Sequence, residues 1–204
     1  MKKLIYILSV LFIFTACGKK KNEPLPNKND TPTPTVDTNP TSSADYYLVF
    51  FDGTKPVKIE QGKDNVYCGA GSSGNSSYSY SEGKFLKSTD LVGSIEYGKN
   101  YGFFPSHSEA YNGYTTGTNT FGEENSGTAG FFIYYKDLSG TYWYTVSGTG
   151  IQTGSAINIS SKSSYNSLSS YYTIEGTFNC TVYDPNGNSK TLTNGKFKTL
   201  FGYN

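Results

Sequence analysis

Residues 174–183 read IEGTFNCTVY, and their side chains alternate between the two faces of an extended chain. The apolar face comprises Ile174, Gly176, Phe178, Cys180 and Val182. Polar side chains and Tyr183 make up the other face. This alternation is typical of an antiparallel strand with one face on a hydrophobic core and the other in solvent. We therefore predict a long antiparallel strand here.

The residues that follow predict the second half of a hairpin. Residues 184–188 read DPNGN, in which Pro, Asn, Asp and Gly each favour a turn. On the return strand, the apolar Leu192 has an even residue number, whereas Phe197 and Phe201 have odd ones, so a regular strand would place them on opposite faces. A strand cannot move its apolar side chains to the other face without an extra residue. We therefore predict a β-bulge at Asn194-Gly195, with glycine supplying a positive φ.

Short strands follow one another along most of the chain before this hairpin. Apolar runs predict strands at 46–51, 56–60, 66–68, 77–80, 84–87, 91–97, 101–104, 129–135, 141–146 and 156–160. Residues 106–125 are rich in Gly, Thr and Asn and are predicted to form a long loop. Nine to eleven strands in one domain predict an all-β, antiparallel β-sandwich. The alternative is an up-and-down, lipocalin-like β-barrel.

The N-terminus has the features of a bacterial export signal. Two lysines precede an apolar run, 4–14, which is too short to span a bilayer comfortably as a mature anchor. The sequence FTAC, 14–17, resembles the lipobox of bacterial lipoproteins, in which the cysteine is lipidated and becomes the first mature residue. The resemblance implies a signal peptide at 1–16 and attachment to membrane lipid through Cys17.

A tether and one domain are predicted after the signal. Five of the eight prolines lie between 18 and 45, among Asn, Thr, Asp and Ser. Such a segment buries too little apolar surface to offset the entropy of ordering it. We therefore predict a disordered tether at 17–45 and a single β-domain at 46–204, a length sufficient for an independent core.

The composition and layout of the chain resemble those of Bacteroidota lipoproteins, in which a Tyr/Asn/Gly/Ser-rich domain follows a Pro/Thr-rich tether. The segments GTF, 176–178, and TNGKF, 193–197, resemble the C-terminal hairpin of uncharacterised domains in that group. The resemblance implies a cell-envelope protein that is lipid-anchored to the outer membrane. It leaves open whether the domain faces the periplasm or the cell surface, and it implies no site residues.

Composition argues against several classes of function. All seventeen basic residues are lysines and the net charge is +1, so a nucleic-acid partner is not expected. His107 is the only histidine, and no G-x-S-x-G motif or Cys/His cluster accompanies it. We therefore expect no catalytic residues, no metal site and no cofactor. The adjacent acids Glu123 and Glu124 are interpreted as solvating a loop.

Two cysteines remain after Cys17. An oxidising compartment would allow a disulfide between Cys68 and Cys180, which would close a loop of about 110 residues and contribute about 4 kcal/mol in the chain-entropy model. The alternative is two separate buried thiols, because Cys180 lies on the predicted core face.

Aromatic residues supply the main indication of function. Tyr142, Trp143 and Tyr144 put aromatic rings on both faces of one strand, close to another aromatic run at 131–135. One face packs on the core, and the other is either covered or forms a platform for sugar rings. We expect a non-catalytic binding domain for a glycan. The alternatives are a structural or assembly partner of an outer-membrane protein complex, docking through a sheet edge, and a carbohydrate-active enzyme.

Overall fold

A computed structural model of the chain describes residues 39–74, 78–102, 105–122, 128–146, 150–163 and 170–202. The predicted signal peptide, Cys17 and most of the tether lie outside these residues, as do Glu123 and Glu124. Asp37–Asn204 forms one compact unit. Within the described residues, no helix has the length and apolarity needed to cross a membrane.

The described residues form eleven strands and one short helix. The strands are β1 Tyr47–Asp52, β2 Lys55–Glu60, β3 Val66–Gly74, β4 Tyr78–Lys87, β5 Asp90–Asn100, β6 Gly117–Asn119, β7 Gly130–Lys136, β8 Tyr142–Tyr144, β9 Ala156–Lys162, β10 Tyr171–Tyr183 and β11 Ser189–Gly202. Every pair of strands is antiparallel, which confirms the predicted all-β, antiparallel class.

The helix, α1 His107–Tyr111, lies in the segment predicted to be a loop. It begins at a capping box, in which the Ser106 hydroxyl accepts from the Glu109 backbone N–H and the Glu109 carboxylate accepts from the Ser106 N–H. β6 also lies in this segment. The strand predicted at 101–104 is absent at Tyr101 and Gly102, which follow β5 as irregular chain, and its last two residues lie outside the described part.

One sheet curls so that its two halves pack face to face. Its order is β2-β1-β11-β10-β8-β7-β5-β4-β3, and β9 pairs with β10 beside β8. β10 and β8 are joined by a single pair, Tyr183 with Tyr144. Phe50 of β1 packs edge-to-face on Tyr135 of β7, with ring centroids 4.9 Å apart. Of the described strands, β2 and β3 are the two ends, so the curled sheet is open and is consistent with the predicted β-sandwich or with a half-barrel.

The β10–β11 hairpin contains the predicted bulge. The register passes from Phe178 opposite Gly195 to Cys180 opposite Leu192, so β11 has one extra residue. The positive φ belongs to Asn194, at 51°, and not to Gly195 as predicted. Gly195 has a different role, because a Cβ there would overlap the ring of Phe178. The bulge keeps Leu192, Phe197 and Phe201 fully buried.

The glycine-rich segment 69–74 is part of β3 and not a gap between two short strands. β11 crosses β3 and β4 there at very short range. A Cβ on Gly202 would lie 2.8 Å from the backbone nitrogen of Gly71, and a Cβ on Gly83 would overlap Thr199. Small residues are required at this crossing because the two layers meet there at backbone level.

The C-terminal residues of the predicted tether contact the sheet. The Ser42 hydroxyl donates to the Glu60 carboxylate, Lys58 Nζ donates to the Thr41 carbonyl at 3.0 Å, and Pro40 is buried. Burial opposes ionisation of Glu60, but hydrogen bonds from Lys63 and Ser42 outweigh it and lower the pKa. Ordered contacts to the domain therefore begin several residues before the predicted boundary at 46.

Candidate functional site

Aromatic side chains cover the solvent side of the β4-β5-β7-β8 layer. Phe131, Ile133 and Tyr135 of β7 point into the core, so the intervening residues of β7 point outward. The rings that line this outer side, here called the tyrosine face, are Tyr78, Tyr80, Phe132, Tyr134, Tyr142 and Tyr144. Neighbouring rings along it have centroids 4.9 to 6.3 Å apart. These contacts make one continuous row of aromatic rings.

The accessible end of the tyrosine face is at β8. Phe132 is fully buried, whereas Tyr142 is 47% exposed. The rings of Tyr134 and Tyr142 are stacked, with centroids 5.8 Å apart and planes 28° apart. Lys136 Nζ lies 5.1 Å from the centroid of the Tyr142 ring and forms an ion pair with Asp90 at 2.8 Å. This end therefore combines an exposed ring with charged hydrogen-bonding groups at its rim.

Two carboxylates lie within the face. Glu82 of β4 and Glu96 of β5 are register partners and share the outer side. Glu82 is 3% exposed and forms an ion pair with Lys84. Glu96 is partly buried and accepts from the Ser94 hydroxyl at 2.6 Å and from the Tyr144 hydroxyl at 3.2 Å. Burial raises the pKa of Glu96 and the negative charge of Glu82 raises it further, while these hydrogen bonds and the positive charge of Lys84 only partly oppose the shift.

The three predicted binding residues are divided between two sides of β8. Tyr142 and Tyr144 lie on the tyrosine face, but Trp143 points the other way and packs on the core. Its Nε1–H donates to Asp137 Oδ2 at 2.8 Å, and Lys190 Nζ lies 3.7 Å from its ring centroid. Of the three predicted binding residues, the structure therefore places Tyr142 and Tyr144 on the tyrosine face and Trp143 against the core.

Cys68 and Cys180 are both free thiols in the structure, so the candidate disulfide is absent. Cys68 Sγ lies 3.4 Å from Thr199 Oγ1, while Cys180 pairs with Leu192. These two positions on β11 are separated by about 20 Å along the strand. A disulfide needs Cα atoms within about 7 Å, so this fold cannot form the bridge. The alternative of two separate thiols is the one observed.

Sequence reasoning missed Glu82, Glu96 and Tyr80 as members of the candidate site, and it included Tyr134 only as part of the aromatic run 131–135. Their grouping depends on strand register, which residue spacing alone does not supply. The one usable signal was the short turn between two runs of alternating residues, 78–87 and 90–100, which makes Glu82 and Glu96 cross-strand neighbours.

His107 is the first residue of α1, whereas Glu82 and Glu96 lie on β4 and β5. Within the described residues, no three His, Cys, Asp or Glu side chains are grouped to hold a metal ion. Comparison of the chain with protein families, curated proteins and solved structures finds no match in any of the three.

Proposed function

We propose that this chain is a lipid-anchored envelope protein whose tyrosine face binds a glycan without transforming it. The anchor rests on the lipobox-like segment that ends at Cys17 and on the proline-rich tether after it. The observation that carries glycan binding is the exposed, stacked pair Tyr142 and Tyr134 beside polar groups.

The chemistry of a sugar matches this arrangement. A pyranose presents a C–H face, which packs on an aromatic ring, and hydroxyl groups at its rim. At the tyrosine face the ring is Tyr142, and the hydrogen-bonding groups are Lys136, Asp90 and Glu96. Ligand sites commonly combine an apolar surface with a few placed polar groups. This combination favours a sugar over a purely apolar ligand.

The test is a titration of the compact unit Asp37–Asn204 with a panel of soluble polysaccharides. Binding is measured by calorimetry and by the fluorescence of Trp143. The informative variant is Tyr142→Ala, which should weaken binding about tenfold or more. Its matched control is Tyr171→Ala, because Tyr171 is similarly exposed, at 54%, but lies at the start of β10. Absence of saturable binding by the folded protein across the panel would overturn the proposal.

The anchor needs its own test in the full chain. Radiolabelled palmitate should be incorporated into the natural chain and lost in Cys17→Ala. Incorporation that survives this change would remove the lipoprotein assignment and leave the glycan proposal standing.

A second function is favoured by the contrast between the two sheet edges. β2 carries Lys55, Pro56 and Lys58, and Thr41 and Ser42 contact it, as is usual for a protected edge. β3 is nine residues long and has no charge and no proline. Such an edge can accept a strand of an envelope protein, which would make the chain an assembly partner. Recovery of one stoichiometric partner that Ser73→Lys abolishes would support this alternative.

A further inference from the structure

We propose that the glycan bound at the tyrosine face carries protonated amino groups, so that the ligand is an amino-sugar polymer and not a neutral or acidic one. This inference rests on the glycan-binding function proposed above and names the ligand class of the same site. The feature that carries it is the carboxylate of Glu96, which lies among tyrosine rings with neutral hydrogen-bond donors and no ion-pair partner among the described residues.

The other charges on this face are balanced. Lys84 pairs with Glu82, and Lys136 pairs with Asp90. Glu96 instead accepts hydrogen bonds from the hydroxyls of Ser94 and Tyr144. When both glutamates are ionised, Glu82, Glu96 and Lys84 together leave one negative charge in excess, so a ligand that lies on this surface meets a net negative site. An ammonium group of the ligand supplies the missing charge.

Tyrosine rings reinforce the preference for a cation. Tyr144 contacts Glu96 directly, and its ring lies 6.3 Å from that of Tyr134. An ammonium group next to Glu96 would therefore also lie near the faces of electron-rich rings. The protein uses the same pairing internally, since Lys162 Nζ lies 4.1 Å from the ring centroid of Tyr111.

Acidic sugars are disfavoured by the same residues. Glu82 and Glu96 lie side by side, so a uronate bound there would be a third carboxylate in a partly desolvated place. Arginine, which binds carboxylates with two parallel hydrogen bonds, is absent from the chain. The face therefore rejects uronic acids by repulsion and lacks the side chain that usually recruits them.

The experiment compares three oligosaccharides of equal length: a chitosan oligomer, the fully N-acetylated chitin oligomer and an oligogalacturonate. Each is titrated calorimetrically into Asp37–Asn204 at about pH 6, where the amines are protonated and most carboxyls are ionised. The expected order is chitosan tightest, chitin about tenfold weaker and oligogalacturonate weakest.

The variant Glu96→Gln keeps the shape of the side chain and removes its charge. It should reduce the advantage of chitosan over chitin to about onefold to twofold, because chitosan affinity falls much more than chitin affinity. Glu175→Gln is the matched control, because Glu175 is a partly buried carboxylate on β10, in the other layer, and its removal should leave the preference intact. Circular dichroism confirms that each variant is folded.

The outcomes separate this inference from the function on which it rests. Equal affinity for chitosan and chitin, with Tyr142→Ala weakening both, overturns the amino-sugar inference and keeps the glycan site. A chitosan preference that survives Glu96→Gln also overturns it, because the attraction is then a general charge effect. Failure of all three oligomers and of the polysaccharide panel overturns the glycan function itself.

Discussion

Glu82 and Glu96 lie directly opposite each other on β4 and β5, with both side chains on the same side of the sheet. Like charges in this position destabilise an antiparallel pair. Lys84 compensates Glu82, whereas Glu96 receives only hydroxyl donors. The sheet therefore carries an electrostatic cost at the centre of its aromatic face, and this cost depends on pH.

Glu96→Gln should stabilise the domain at neutral pH. Burial and the charge of Glu82 raise the folded-state pKa of Glu96 above its unfolded value, so ionisation is less favourable in the folded state. The destabilisation is present above the folded-state pKa and disappears below the unfolded value. We expect the free energy of unfolding in urea to rise by up to about 1 kcal/mol at pH 7, with the difference vanishing near pH 4. Glu175→Gln, which removes the charge opposite Lys198, should not stabilise at either pH.

Asp137→Asn should destabilise the domain at neutral pH. Burial opposes ionisation of Asp137, but hydrogen bonds from Ser139, Trp143 and Thr141 outweigh it and lower the pKa to about 2. The stability contributed by the ionised Asp137 carboxylate is fully present above its ordinary pKa of 3.8 and is lost as the pH falls toward 2. The expected loss at pH 7 is about 1–3 kcal/mol, measured by urea unfolding with Trp143 fluorescence. Asp90→Asn is the control, and an equal loss there would contradict the special role of Asp137.

Gly195→Ala should destabilise the β10–β11 hairpin. Its new methyl group would overlap the Phe178 ring, which cannot move because it is fully packed in the core. Overpacking of this kind costs about 1–3 kcal/mol, read from the midpoint of urea unfolding. Gly69→Ala is the matched control, since its Cβ would lie at an ordinary 3.7 Å from Leu86 Cδ1. A similar loss in both variants would point to strand entropy and not to overlap.

The two thiols should differ in reactivity in the native protein. Cys180 is 1% exposed and burial strongly raises its pKa, so it should react with iodoacetamide only after unfolding. Cys68 is partly exposed and burial raises its pKa less strongly, so slow native labelling is expected there. Intact mass spectrometry of Asp37–Asn204 measures both, and Cys68→Ser should abolish native labelling. A non-reduced digest that joins the two cysteine peptides would contradict the structure.

Sequence patterning predicted the β10–β11 hairpin well, because the signals that specify this hairpin lie within its own residues. Alternation of period two, a turn with Asp, Pro and Gly, and a change of parity between Leu192 and Phe197 together specify two strands and a bulge. The residue with positive φ could not be assigned this way. Asn194 takes that conformation because Gly195 is needed beneath the ring of Phe178, and that ring belongs to another strand.

β3 was underpredicted because its small residues are explained only by tertiary packing. Glycine weakens an isolated strand, so the segment 69–74 reads as a loop. The close passage of β11 at Gly202 makes those residues necessary. Trp143 illustrates a different limit, since a three-residue strand with an aromatic at every position has no alternation from which its faces can be assigned.

The pairing of β1 with β11 has a consequence for the folding of the newly made chain. Tyr47 lies opposite Lys198, so strands from the two ends of the domain, about 150 residues apart, are adjacent in the sheet. The chain can complete this pairing only after its last strand has been synthesised and, if the protein is exported, delivered. Until then β1, whose centre is fully apolar, has no neighbour on that side and must be kept from pairing with other chains. We therefore expect slow folding and a dependence on chaperones during that interval.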